Sequence, residues 1–333
     1  MNNRLVSVVI VNWNCGRFIK DCLDALSVQE YPQLDVTVVD NGSTDGSPDW
    51  VARHHPDVRL WTFPDNRGFS WAFNYGAGHT SGSFVLSLNP DVTVRSGFIA
   101  EMVHAIDQDE RIGMVAPRLL QAGDTRILDS TGLFIDRRRR PYDRGQGDAD
   151  RGQYDMQPYV FGACGAAALY RRAMLDDLAL NEEYFDEDFF AYYEDADLAW
   201  RAQLRGWRCV YAPHAVATHI RGWGDTLRKR RDTARNSRGP RLALRNRYLM
   251  TIKNDALGHF LADLPMILAA ELPRLAYAAL TAPRVLLGIP DLVRTWPSAL
   301  RKRRQIRHQQ AAADDFVRRW FITPEEAATG CAE

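Results

Sequence analysis

The chain is as informative in what it lacks as in what it carries. Its five cysteines, Cys15, Cys22, Cys164, Cys209 and Cys331, are scattered, odd in number and form no Cys-x-x-Cys pair. That argues against a disulfide framework or a zinc ribbon and fits a reducing compartment. No uninterrupted apolar run reaches the ~18 residues of a membrane span. The opening Met1-Asn2-Asn3-Arg4-Leu5 lacks the apolar stretch of a signal peptide, so a cytoplasmic location is expected. Net charge is zero over 333 residues, so no global field attracts nucleic acid, and no nucleic-acid partner is expected. No internal repeat is evident. The first strand leads into Asn12-Trp13-Asn14-Cys15-Gly16, which is not the Gly-rich, Arg- or Lys-bearing phosphate loop of a nucleotidyltransferase.

The composition, 46% hydrophobic and 25% charged, is that of a globular protein. Charge is unevenly placed. Acid concentrates between Asp176 and Asp197, and base at Arg137 to Arg140, Arg228 to Arg231 and Arg301 to Arg304. Over the first 120 residues strand and helix signals alternate. Val6 to Val11, Val36 to Val39, Val58 to Phe63 and Phe84 to Leu88 read as strands. Phe18, Ile19, Cys22, Leu23 and Leu26 repeat at helical spacing. Ser47-Pro48 reads as an N-cap followed by a first-turn proline. Helices are also expected over Phe69 to Ala77, around Ile99, Val103 and Ile106, and over Glu194 to Arg205, with a short strand from Cys209 to Ala212. Such alternation predicts a mostly parallel sheet flanked by helices, with ligands beyond the carboxyl ends of the strands. Asp40 and Asp91 fall at those ends. Residues 121–160 read as a polar, mobile loop. Residues 1–224 are read as the catalytic domain and 225–333 as an Arg-rich helical extension interrupted by Pro265, Pro273, Pro283, Pro290 and Pro297.

Several motifs then form a series. Val8-Val9-Ile10-Val11-Asn12-Trp13-Asn14 resembles the opening strand of glycosyltransferase family 2. Asp40-Asn41-Gly42-Ser43-Thr44-Asp45-Gly46-Ser47 resembles its nucleotide-binding turn, and Asn66-Arg67-Gly68-Phe69, with Asn74 and Gly76, its next signature. Leu88-Asn89-Pro90-Asp91 stands where the family carries Asp-x-Asp. Glu194-Asp195-Ala196-Asp197-Leu198, with Arg201, Gly206 and Trp207, resembles its Glu-Asp helix. The resemblance covers roughly residues 5–225 and implies a GT-A, Rossmann-like fold. The flavour is similar to bacterial rhamnosyltransferases. Asn89 replaces the usual first Asp, which removes one negative charge from the expected metal site.

Each candidate residue has a functional and a structural reading. Asp40 is the candidate base reader, since an ionised carboxylate accepts the N3–H of thymine or uracil; a turn-capping Asp is the alternative. Asn12 would contact the same nucleoside or close the strand end. Asn66, Arg67, Gly68 and Asn74 would line the donor pocket or form a strand-to-helix turn. Asn89 and Asp91 would face the diphosphate, with Asp91 a ligand for Mg2+ or Mn2+. The resemblance makes His219 the second metal ligand, with His214 its competitor. It also makes Asp195 the general base and Glu194 its helper, although acids there would also stabilise a helix N-terminus. Gly162, Gly165 and Trp223 are acceptor-side candidates; tight packing is the alternative for the glycines.

The implied activity is inverting transfer of a sugar, L-rhamnose from dTDP-L-rhamnose, to a hydroxyl of a cell-surface glycan or lipid-linked acceptor. Alternatives are a UDP-hexose or UDP-galactofuranose donor, or a non-catalytic nucleotide-binding relative. The Leu-Ala-Arg tail would meet the inner face of a membrane, or pack on the catalytic domain or on a second subunit as a homo-oligomer.

Overall fold

Strand β1, Val6–Asn12, is buried at every position, so its apolar run does not alternate with polar residues. Both its faces are covered, as in α/β sheets. The computed structural model describes residues 4–221, 238–323 and 325–326. From β1 the chain continues through α1 (Ile19–Ser27), β2 (Leu34–Asn41), α2 (Ser47–His54), β3 (Arg59–Phe63), α3 (Phe69–Gly78), β4 (Phe84–Leu88), β5 (Val92–Val94) and α4 (Phe98–Ile106). Next come β6 (Ile112–Gln121), β7 (Asp124–Ser130), β8 (Leu133–Ile135), β9 (Pro141–Asp143), β10 (Tyr159–Val160), β11 (Ala167–Arg171), α5 (Arg172–Leu178), α6 (Glu194–Arg205) and β12 (Arg208–His219). Four helices close the described chain: α7 (Arg238–Asn254), α8 (Leu257–Thr281), α9 (Gly288–Gln309) and α10 (Asp314–Arg318).

The main sheet runs β10-β12-β6-β11-β4-β1-β2-β3, with β5 on β12 and β7 on β6. Strands β4, β1, β2 and β3 are parallel; β11 is antiparallel to both β4 and β6. Alternate residues of β1 divide the core. Val6, Val8 and Ile10 pack with Ile19, Leu23, Phe98 and Met102 on one face. Val9 and Val11 pack with Phe73 and Ala77 on the other, in a cluster that extends to Trp200.

Three expectations change. The cap of α2 is Gly46, not Ser47; the Asp45 carboxylate accepts the Ser47 amide at 3.0 Å and satisfies that helix end instead. Segment 121–160 is not a polar loop. It carries four strands, and Leu128, Phe134, Ile135, Tyr154 and Val160 are core residues. Its apolar positions are short and separated by charges, so no periodicity reveals them. The second half of its basic run turns inward to acids, while Arg137 and Arg138 are exposed: Arg139 donates to Asp255 at 2.8 Å and Asp263 at 2.7 Å, and Arg140 to Glu271 at 3.1 Å. Finally, Pro265 and Pro273 sit inside α8, and Pro297 inside α9, without ending either helix. Helices α8 and α9 are bent against each other by 119°, and among the described residues no single helix is long and apolar enough to cross a membrane.

Candidate active site

Strands β1 and β2 end side by side, with Asn12 opposite Asp40. Both are buried. Asn12 Nδ2 donates to Asp40 Oδ1 at 2.7 Å and to Ser47 Oγ at 2.8 Å, and Ser43 N–H donates to Asp40 Oδ2 at 3.0 Å. Asp40 therefore caps its own turn, and each carboxylate oxygen keeps further acceptor capacity. The next residue, Asn41, was not singled out from sequence, yet it joins two motifs. Its Nδ2 donates to Asn66 Oδ1 and to the Gly68 carbonyl, both at 3.1 Å, and its Oδ1 accepts the Arg67 amide at 2.9 Å.

Arg67 and Asn74, expected in the donor pocket, have protein partners. The Arg67 guanidinium lies 4.5 Å above the Trp71 ring. Asn74 is engaged at both ends, donating to the Phe185 carbonyl at 2.7 Å and accepting the Phe185 amide at 2.9 Å. It ties α3 to the chain that leads into α6.

Beyond β4 the chain turns at Asn89-Pro90-Asp91 into β5, which pairs with the end of β12. That pairing brings His219 Nε2 to 3.5 Å from Asp91 Oδ1. On its other side His219 Nδ1 is 2.7 Å from Asp129 Oδ2. Asp129 is fully buried and also accepts Arg221 Nε at 2.5 Å; Arg221 Nη2 reaches Asp143 Oδ2 at 2.7 Å. Burial alone would lower the His219 pKa. The hydrogen bonds that the ring donates to Asp129 and Asp91 outweigh it and hold the imidazole up at about 9. His214, the competitor, is exposed. Asp129, Asp143 and Arg221 escaped sequence reading, because the first two lie in the segment read as loop.

This arrangement fits a divalent cation. A carboxylate holding Nδ1 is how a ligating imidazole is usually oriented. Among the described residues no group of three or more His, Cys, Asp or Glu side chains has metal-site geometry. Asp91 and His219 would thus be the protein's share, with diphosphate oxygens and water completing the shell, as Mg2+ commonly requires.

The three acids opening α6 have different surroundings. Asp195 is half-buried and fixed by two backbone amides, Gly165 N–H to Oδ2 and Ala196 N–H to Oδ1, both at 2.8 Å. Burial raises its pKa, the two amides oppose this, and the negative charge of Asp143 adds to it. Glu194 is buried, and its Oε2 has no hydrogen-bond partner. Burial first, then the charge of Asp195, pushes its carboxyl up to about 8. Asp197 is buried among Arg201, Lys253 and Asn254, at 3.0, 3.0 and 2.8 Å.

The turn before α6 carries three non-glycine residues at positive φ: Phe190 (65°), Tyr192 (74°) and Tyr193 (72°). Such backbone is strained and persists only when its surroundings hold it. Asn246 of α7 does so, donating to the carbonyls of Phe189, Ala191 and Tyr192 at 2.9, 2.8 and 2.8 Å. On the donor side the turn presses on Gly68, whose φ is 98° and where a Cβ would sit 2.6 Å from the Phe190 carbonyl oxygen.

These pieces meet at one edge of the sheet. Asn89 N–H donates to the Ala166 carbonyl at 2.8 Å, which places the Gly165 amide and its partner Asp195 beside the Asn89–Asp91 turn. The Cys164 thiol is pushed well up by burial and then by the charges of both Asp143 and Asp195, so the His219 network and Asp195 share its surroundings. Cys15 is raised by burial and, among charges, by Asp91 and Asp45, which links the metal turn to the nucleotide turn. Gly162 does not face this edge: a Cβ there would lie 2.4 Å from Ala199 Cβ, so it is the packing glycine of α6. Trp223 lies outside the described residues.

A mostly parallel sheet with a paired-acid helix, an Asp–His pair and a polar nucleotide turn at its carboxyl edge is that of a GT-A glycosyltransferase. Residues 7–179, more than half of the chain, match the model of Glycosyl transferase family 2, and the chain belongs to that family. It is 28% identical over 250 residues to the N-acetylglucosaminyl-diphospho-decaprenol L-rhamnosyltransferase of Mycobacterium tuberculosis (strain ATCC 25618 / H37Rv), covering 65% of this chain and 76% of that protein. It is 22% identical to poly-beta-1,6-N-acetyl-D-glucosamine synthase of Staphylococcus aureus (strain COL), covering 63% of this chain but 48% of that one. Among solved structures, the fold is similar to a mannosyltransferase of Pyrobaculum calidifontis in complex with GDP-Man and Mn2+ (TM-score 0.51, 22% identity, 99% of this chain and 86% of that one). It is also similar to a fragment of S. aureus TarS in complex with UDP (TM-score 0.55, 18% identity, 98% and 92%).

Proposed function

We propose that the chain transfers L-rhamnose from dTDP-L-rhamnose to a hydroxyl of a glycan or lipid-linked acceptor, with inversion at the anomeric carbon. The observation that carries the reading is the Asp195 carboxylate, fixed by the amides of Gly165 and Ala196 on the edge that also holds Asp91 and His219. The sugar is supported by the mycobacterial relative's name and by Asn89 in place of Asp. The free thiols of Cys15, Cys22, Cys164 and Cys209 support a cytoplasmic location.

Asp195 takes the proton of the acceptor hydroxyl, and that oxygen attacks the anomeric carbon from the face opposite the diphosphate. The carbon–oxygen bond to the diphosphate breaks, and dTDP leaves with the bonding pair. A preorganised base needs a pKa nearer the working pH than a free carboxylate has, and burial of Asp195 supplies that shift. Glu194 keeps its proton near neutral pH and so leaves Asp195 as the anion of the pair. Asp91 and His219 would hold Mg2+ or Mn2+, which supplies charge neutralisation for the departing diphosphate when bound. Asp40 and Asn12 would read the pyrimidine.

The test is a panel of dTDP-L-rhamnose, UDP-galactofuranose and UDP-hexoses, each with Mg2+ or Mn2+, followed by thermal unfolding. A donor at about 100 times its Kd adds about 2.7 kcal/mol to the native state. Selective stabilisation by dTDP-L-rhamnose, lost in Asp91→Ala, is expected. Selective stabilisation by a UDP-sugar would replace the proposed donor.

A further inference from the structure

Helix α8 is built inside out. Its buried residues are Asp263, Ile267 and Glu271, one stripe at four-residue spacing. Both acids are held from the protein side: Asp263 by Arg139 at 2.7 Å, and Glu271 by Arg140 at 3.1 Å and by Arg247. The opposite side carries Leu261, Leu268 and Leu272, which are 54%, 43% and 61% exposed. A helix on the surface of a water-soluble domain has the reverse arrangement, with its apolar stripe inward. Helix α9 shares only the outward apolar side: Val293, Trp296 and Leu300 are exposed, while its buried side carries Leu292, Ala299 and Ile306 together with Lys302, which donates to Asp188 at 3.0 Å and Glu183 at 3.1 Å.

The charges left outside have one sign. Residues 257–304 contain three acids, Asp263, Glu271 and Asp291. The first two are buried, and Asp291 is half-buried and bonded to Arg241 at 2.6 and 2.8 Å. Arg284, Arg301 and Arg304 are exposed and have no acidic partner among the described residues. Within residues 257–304 the surface thus offers leucines, a tryptophan and free guanidinium groups and no exposed carboxylate; the exposed Asp315 meets α8 at His259, near its start, at 2.9 Å.

That combination matches the interfacial zone of an anionic lipid layer. Apolar side chains enter the acyl boundary, an indole sits at headgroup depth, and arginines meet lipid phosphates. A transmembrane span is the poorer fit, because the two helices are bent by 119° and the acidic stripe of α8 is committed to the catalytic domain. We infer that α8, the turn Pro283–Leu287 and α9 form a docking surface that lies in the interface of an anionic bilayer. Lys253 of α7 bonds Asp197 two residues from Asp195, and Lys302 of α9 bonds the segment leading into α6, so the docked face and the base belong to one packed unit. The inference deepens the lipid-linked part of the acceptor reading and is independent of the sugar.

The experiment is co-sedimentation of the full chain with phosphatidylcholine vesicles, with and without phosphatidylglycerol. Pelleting with the anionic vesicles, reduced by salt, is expected. The triple variant Leu268→Gln, Leu272→Gln, Trp296→Gln should lose binding by about tenfold or more. The pair Arg301→Gln, Arg304→Gln should lose about fivefold per arginine. All five positions are exposed, so unfolding temperature and its rise with dTDP-L-rhamnose should be unchanged in both variants. Failure of the wild-type chain to pellet with anionic vesicles overturns the inference. So does a dimer mass in light scattering that the triple variant abolishes, since a second copy would then cover the face. No sugar nucleotide enters the binding assay, so a wrong donor assignment leaves its outcome intact.

Discussion

The carboxyl edge of β1 and β2 and the seam behind α6 are both polar and both buried, yet they are held differently. At the strand edge Asn41 bonds Asn66, Arg67 and Gly68 through neutral amides, and Asn12 donates to Asp40, the buried carboxylate there. Behind α6, Asp186 and Asp197 meet the buried ammonium groups of Lys253 and Lys302. The first network joins the ends of β1 and β2 to the Asn66–Gly68 turn and leaves acceptor capacity on Asp40 for a ligand. The second spans distant parts of the chain and consumes the capacity of its members. The difference separates a surface meant to be occupied from a brace meant to hold the base helix still.

Breaking the brace should have the largest effect on stability. Lys253→Met leaves Asp186 and Asp197 buried with a cation missing, at a cost of about 3–5 kcal/mol, read by chemical unfolding. The same seam sets the acid limit of the wild type. Lys253 and Lys302 overcome burial to hold Asp186 well below the usual carboxylate range, and Arg247 and Tyr248 help hold Glu271 at about 2. Groups with depressed folded-state values stabilise above the unfolded pKa and lose that contribution as pH falls through the folded one. Unfolding temperature should therefore fall once pH drops below the ordinary range of Asp and Glu.

Asn246→Ala sits between the two regions. It frees three carbonyls of the strained turn, for about 1–3 kcal/mol, and should lower kcat, because the turn aims Asp195; the same turn presses on Gly68, so the donor KM should rise as well, by less than kcat falls. At the strand edge, Asn12→Ala should cost about 1–2 kcal/mol and weaken stabilisation by the donor. A comparable loss in both regions would remove the distinction drawn above.

Glu194→Gln should have the smallest effect. Near neutral pH Glu194 is already protonated, so turnover should change little. Its folded-state pKa is raised, so the wild type loses stability as pH climbs from about 4.5 toward 8, and the variant does not. A higher unfolding temperature for the variant at pH above 8, and none at pH 5, checks the sign.

Much of the strand edge was legible because its parts are contiguous. A β-branched run followed by Asp-Asn-Gly-Ser announces a buried strand and a turn, and Asp40, Asp91 and Asp195 each stand at an element boundary the sequence marks. The brace was not legible. Nothing near Lys253 or Lys302 names an acid more than fifty residues away as its partner, and a buried lysine has the same letter as an exposed one. Asp129 and Asp143 were hidden for a related reason: short strands punctuated by charges read as loop until they pair. The outward leucines of α8 were visible as composition, but which side they face is decided by the arginines that hold Asp263 and Glu271.

The most direct measurement is turnover of dTDP-L-rhamnose by Asp195→Asn beside its donor-induced thermal shift. Gly165 and Ala196 donate to different carboxylate oxygens, so in the variant one amide keeps its acceptor and the other faces the NH2 group; a stability loss of about 1–3 kcal/mol is expected, with the donor site retained. The account expects kcat to fall by about 10²–10⁴-fold with the thermal shift kept. Turnover near that of the wild-type chain would contradict Asp195 as the base.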